Sequence, residues 1–280
     1  MVARPSADRD APSGHLDQAG PKVGHMSESA RVNRSGRLAA VAGGDWSAGS
    51  PRRFAAWFGG YAACSAVHLA THLRADSGEP PFLQNVSQWL LMPLLGGALW
   101  SARPAPRDRI VTLGLIALGF SFLGDALPDA VSGDNSFLVL VGSFLLAQVA
   151  YIVAFWPRRE RSLAGQRSRW MLAYVAGYVA LVAYCAPKAG ALVIPVVVYG
   201  ACLTAMAILA TGLGTVGTVG GLLFFGSDAM IALDAFRPDS VIPHSGFAFM
   251  ATYIAAQALL MLAIMHDSAS PETPAGSAQS

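Results

Sequence analysis

The feature that most constrains this chain is a succession of long apolar runs. From Phe54 onward, stretches of about 17 to 23 residues recur, each near the length an α-helix needs to cross ~30 Å of hydrocarbon. Eight are read as spans: 54–73, 83–101, 109–125, 136–156, 170–186, 190–211, 215–236 and 244–266. Lipid offers backbone N–H and C=O groups no partner, so such runs must satisfy them internally, as helices. The expected fold is therefore all-α, a polytopic membrane bundle of eight transmembrane helices over residues 54–266. Residues 1–53 are rich in Ala, Gly, Ser, Arg and Asp and hold no apolar stretch long enough for a signal-peptide core. They are read as a disordered cytoplasmic extension, with Met26 as an alternative start, and residues 267–280 as a disordered tail. The composition agrees: 13% of residues are charged, against about 25% in a soluble domain.

Several function classes fall away at this level. A formal net charge of +2, with the basic residues gathered in loops, gives no footprint for nucleic acid. Cys64, Cys185 and Cys202 sit in apolar runs without paired spacing and read as small packing residues. There is no Gly-rich phosphate loop behind a strand and no Gly-x-Ser-x-Gly elbow, and no cofactor is implied.

Orientation follows from Lys and Arg, which are retained on the cytoplasmic side. Arg52 and Arg53 precede the first span, Arg103, Arg107 and Arg109 fill the second loop, and Arg158, Arg159, Arg161, Arg167 and Arg169 fill the fourth. The opposite loops hold little more than Arg74, Lys188 and Arg237. Both termini are expected in the cytoplasm, in an integral protein of the plasma (inner) membrane. Asp125 and Asp228 then each lie about 24 Å along an outward-running helix at ~1.5 Å per residue, in the outer third of the bilayer. His68 and Gln88 reach a similar level.

Those two acids stand out chemically. A carboxylate within an apolar span costs roughly 2.5 to 3.5 kcal/mol on insertion scales, so its default reading is functional. Ser121 and Gly124 precede Asp125, and Gly226 and Ser227 precede Asp228; such small or polar neighbours permit close helix approach and hydrogen bonding. Asp129, Asp134, Asp234 and Asp239 are read instead as helix caps or solvent-facing loop groups. If Asp125 and Asp228 share a poorly hydrated cavity they cannot easily both ionise, which leaves a proton donor beside a fixed negative charge. Gln88, Gln148, Tyr199, Tyr253 and Gln257 are further polar positions on apolar spans, read either as interhelical hydrogen bonds or as ligand contacts. His68 and His72 share a helix face without the Glu of the zinc-protease pattern; they read as an interfacial polar pair. His68 with Asp125 and Asp228 is the alternative, a three-ligand metal set. Pro93 and Pro195 are read as mid-span kinks. A faint duplication sets Phe144, Gln148 and Tyr151 against Phe249, Tyr253 and Gln257, with Gln and Tyr exchanged in order.

Ordered blocks in spans two to eight carry a resemblance. They are Leu90-Leu-Met-Pro-Leu94, Ser121-Phe-Leu-Gly-Asp125, Phe144-Leu-Leu-Ala-Gln-Val-Ala-Tyr151, Pro195-Val-Val-Val-Tyr199 with Met206, Phe225-Gly-Ser-Asp228 through Phe236, and Thr252-Tyr253 with Gln257. Over about residues 87–262 the chain resembles the YhhN-like family of membrane proteins, whose characterised members are lysoplasmalogenases. It departs from the family pattern at Gln88-Trp89, where the family has Lys-Pro, and at Gln148, where it has His. The resemblance implies hydrolysis of the vinyl-ether bond of a lysoplasmalogen, a lysophospholipid taken from the membrane, to a fatty aldehyde and a glycerophospho-ethanolamine or -choline. Asp125 and Asp228 are then cast as the acid/base carboxylates, without assigning which is the acid, and Ser121, Ser227, Tyr253 and Gln257 as groups that hold them. Gln88, Gln148, Tyr151 and Tyr199 complete the candidate substrate-binding set. Two other readings stay open: a metal-dependent membrane hydrolase, and a non-catalytic proton-coupled transporter of lipids or small molecules.

Overall fold

The computed structural model describes residues 50–73, 82–132, 134–237 and 245–269. Among these residues the chain is all-α, without a strand. The eight helices are α1 (Pro51–Leu73), α2 (Phe82–Ala102), α3 (Arg109–Ala126), α4 (Asp134–Phe155), α5 (Trp170–Ala189), α6 (Val193–Ala210), α7 (Gly214–Phe236) and α8 (Ser245–Ala269). Residues 1–49 and 270–280, expected to be extensions, lie outside the described part.

The helix ends follow from local chemistry. Pro128 and Pro157 fall just beyond α3 and α4, where each helix tightens into a single 3₁₀ segment, Leu127–Ala130 and Trp156–Arg161. Gly190 (φ +52°) closes α5 and Gly214 (φ +83°) opens α7, conformations that L side chains seldom adopt. Pro93 lies inside α2, as expected. Pro195 does not kink a span: α6 begins only at Val193, so the proline stands in its first turn, where backbone N–H groups lack helical partners anyway.

Among the described residues four stretches, not eight, are long and apolar enough to cross a membrane: Arg109–Ala130, Asn135–Arg161, Trp170–Phe236 and Gly246–Ala269. The third contains α5, α6 and α7, joined by the 3₁₀ turns Gly190–Leu192 and Thr211–Leu213. α1 and α2 fall outside this set. Their inner faces are polar, with Ser65, His68 and His72 on one and Gln84, Ser87 and Gln88 on the other.

Close approach is built into α7. A Cβ on Gly220 would stand 3.1 Å from Leu260 of α8, and one on Gly221 would stand 3.1 Å from the backbone of Ala207 in α6. With Gly217 these residues form a small-x-x-x-small ridge, which lets helices meet without intervening side chains. Tyr151, Phe155, Phe224, Met206 and Leu260 fill the core beside it. At the arginine-rich end, Asp267 of α8 forms ion pairs with Arg158 and Arg161, each at 2.7 Å, and is only 8% exposed. All three cysteines are free thiols, Cys185 buried and the others partly so.

Candidate functional site

Asp125 is the penultimate residue of α3 and is 4% exposed. The Tyr253 hydroxyl, from α8, donates to its Oδ2 at 2.9 Å, and the Gln88 amide, from α2, lies 3.5 Å from Oδ1. One turn back, Ser121 accepts from Gln257 Nε2 at 3.0 Å, and Gln257 Oε1 accepts from the Tyr151 hydroxyl at 2.7 Å. The Asp125 end of α3 is thus sewn to α8 by two side-chain bonds and through Gln257 to α4. Buried groups in lipid or protein need such partners, and here nearly every one has them.

Asp228, on α7 and 9% exposed, repeats the same chemistry with different helices. The Tyr199 hydroxyl donates to Oδ2 at 2.5 Å, a short bond, and Gln148 Nε2 donates to the same oxygen at 3.4 Å. Gln148 is fully buried, yet its Oε1 has no hydrogen-bond partner. Ser227 does not touch either acid; its hydroxyl donates to the Phe249 carbonyl at 3.0 Å and ties α7 to α8. The sequence pattern that pairs each acid with one Tyr and one Gln is crossed in space. Gln148 of α4 serves Asp228, while Tyr253 of α8 serves Asp125.

The surroundings of the two acids differ. Asp228 lines a cavity of about 680 Å³, counting its open mouth, between α4, α5, α6 and α7. Its wall is otherwise apolar or aromatic, including Phe137, Phe144, Tyr178, Leu203, Phe225 and Phe236. It occupies the end of the bundle where α4 and α6 begin and α5 and α7 finish, away from the arginine-rich turn. Asp125 is not among the lining residues. The Phe144 ring intervenes: it lines the cavity, packs edge-on to Tyr253 at 5.7 Å, and sits where a Cβ on Gly124 would be, 2.7 Å away. Only Gly at 124 lets that ring lie flat on α3 beside Asp125.

His68 is fully buried but stays apart from both acids, bonded to Ser87 and Gln84 of α2 and to His72. Among the described residues no group of three or more His, Cys, Asp and Glu side chains could hold a metal, so His68, Asp125 and Asp228 do not form the three-ligand set weighed above. Of the acids read as structural, Asp129 accepts the Trp89 indole N–H at 3.1 Å in an exposed position. Sequence reasoning missed Gln84, Ser87 and Tyr178. Gln84 and Ser87 carried a signal, spaced three apart on α2 so as to face one imidazole.

The profile of the YhhN family matches residues 83–264, well over half of the chain. The chain belongs to the YhhN family. The match covers both acids and every partner described for them, and leaves α1 outside. Neither a curated protein nor a solved structure matches the chain. Family membership and the four apolar stretches mark this YhhN protein as an integral membrane protein.

Proposed function

We propose that this YhhN protein is an eight-span membrane lipid hydrolase that cleaves the vinyl-ether bond of lysoplasmalogens, with Asp228 as the proton donor. The observation that carries the reading is the placement of one buried carboxyl, bonded to Tyr199 and Gln148, in the wall of an apolar cavity. Such a cavity takes an alkenyl chain, and a few convergent polar groups fix its reacting end.

An enol ether breaks when an acid protonates its β-carbon. The carboxyl of Asp228 gives its proton there, the π electrons form the new C–H bond, and an oxocarbenium ion remains beside the carboxylate. Both protein bonds fall on Oδ2, so Oδ1 is the oxygen offered to the substrate. Water then adds to the α-carbon and returns a proton to Asp228. The hemiacetal collapses to aldehyde and the free glycerol hydroxyl, which takes the last proton. This parallels the carboxylate chemistry glycosidases use around a similar ion. Asp125, behind Phe144, is cast as a positioning residue that holds Tyr253 and Gln88.

With both termini cytoplasmic, as the arginine distribution implies, the cavity lies toward the outer leaflet, where a lysolipid would enter. The test is aldehyde release by purified protein from a lysoplasmalogen and from its saturated alkyl-ether analogue. Turnover of the first alone is expected. Turnover of both would mean a different bond-breaking step, and proton-coupled flux without aldehyde would mean a transporter.

A further inference from the structure

A second polar cluster lies between α1 and α2, separate from both acids. Its core is two imidazoles one helical turn apart, His68 and His72, with Nε2 facing Nε2 at 3.3 Å and ring planes 77° apart. The proton on His68 is fixed by its other nitrogen. The Ser87 hydroxyl spends its hydrogen on the Gln84 carbonyl at 2.9 Å, so Ser87 Oγ is left to accept from His68 Nδ1 at 2.9 Å. The Gln84 carbonyl, which can only accept, lies 3.2 Å from the same Nδ1. His68 therefore carries its hydrogen on Nδ1 and points a bare Nε2 lone pair at His72.

What His72 meets depends on its tautomer and on which way the Gln84 amide is turned. Its Nε2 lies 3.3 Å from His68 Nε2 and 3.3 Å from the Gln84 amide nitrogen. A hydrogen on His72 Nε2 suits the His68 lone pair but opposes the Gln84 donor. Without that hydrogen, two lone pairs face each other. With the Gln84 amide turned to present Oε1, three donor atoms converge on one focus, which either a hydrogen on His72 Nε2 or a cation can fill.

The spacing is that of a chelate. Two nitrogens at about 2.0 to 2.1 Å from a tetrahedral zinc ion lie about 3.3 to 3.4 Å apart. Metal-bound histidines commonly hand their other N–H to a carbonyl or similar acceptor, which orients the ring; His68 does this toward Gln84 and Ser87. α8 completes the pocket from the far side: a Cβ on Gly246 would stand 2.9 Å from His72 Nδ1, so glycine there gives the ring its room.

We propose that His68, His72 and the side-chain oxygen of Gln84 form a binding site for a zinc-class divalent metal that clamps α1 to α2. Imidazole donors suit Zn²⁺ and its neighbours, with the amide oxygen as a weaker third ligand and a water as the fourth. Two of the residues that would ligate it stand on α1, outside the YhhN match, and Gln84 stands inside it. It does not rest on the hydrolase reading.

The test is Co²⁺ titration of the purified, chelator-treated full-length protein, followed by the visible d–d bands of a tetrahedral site. The expected result is one Co²⁺ per chain, displaced by Zn²⁺. His72→Asn, at a half-buried position that leaves the core intact, should weaken binding at least about a hundredfold. Ser87→Ala should weaken it about tenfold through the lost orienting bond, a change that a packing role alone would not produce. Gln84→Glu should tighten it. Absence of the bands in the unsubstituted protein, or equal binding by His72→Asn, overturns the proposal; weaker binding by Gln84→Glu removes Gln84 from the ligand set.

Discussion

Asp125 and Asp228 have the same immediate chemistry, one tyrosine hydroxyl and one glutamine amide, yet they sit in different solvents. The first is enclosed by α2, α3 and α8 with a bonded neighbour a turn away at Ser121. The second faces an apolar cavity and keeps an unpartnered acceptor, Gln148 Oε1, beside it. Hydrogen bonding alone therefore does not tell the two carboxyls apart. Access does. A carboxyl that no substrate can reach contributes to the fold, and one in a cavity wall can give away its proton.

That contrast is open to direct attack. The largest effect is expected from Asp228→Asn, which keeps the shape and removes the acid; aldehyde release should fall at least about a hundredfold, the usual reach of a general acid, with the protein still folded. Asp125→Asn should fall less, about tenfold or under, and lower thermal stability instead. If the two losses were reversed, the proton donor would be Asp125 and the cavity assignment wrong.

Next come the tyrosines. Tyr199→Phe should slow turnover with little change in melting temperature, whereas Tyr253→Phe should lose stability of about 1 to 3 kcal/mol, the cost of stranding a buried partner, with turnover nearly retained. Equal behaviour of the pair in both assays would erase the distinction between the two sites. The smallest effect is expected from Gly200→Ala in the cavity wall. Its Cβ would stand 2.8 Å from the Tyr178 ring, whose hydroxyl donates to the Val197 carbonyl, so the ring must give way and KM should rise a few-fold at constant kcat. A fall in kcat alone would place the alkenyl chain elsewhere.

Much of the fold was legible because bilayer length and apolarity are written in single-residue terms. The helices fall at or near the expected spans, α3 at 109–126 against 109–125 and α7 at 214–236 against 215–236. Apolarity failed as a guide at α1 and α2, where buried polar groups face one another between helices. Both acids and their polar neighbours could be named from the sequence, but not their pairing. Tyr253 reaches Asp125 across 128 positions, and Gln148 reaches Asp228 across 80. Which acid meets a cavity depends on where Phe144 lies, and that is set by packing on Gly124. His68, expected at the level of the acids, turns toward Gln84 and Ser87 of α2, because helix rotation as well as depth decides a side chain's company.

The carboxylate of Asp267 anchors two guanidinium groups near the end of the last described helix. A shortened chain ending before it would leave Arg158, only 20% exposed, with its charge uncompensated at the foot of α4. The safe place for a fused reporter or affinity handle is thus past Ala269, and a cut even three residues earlier would be felt through α4, one wall of the cavity beside Asp228.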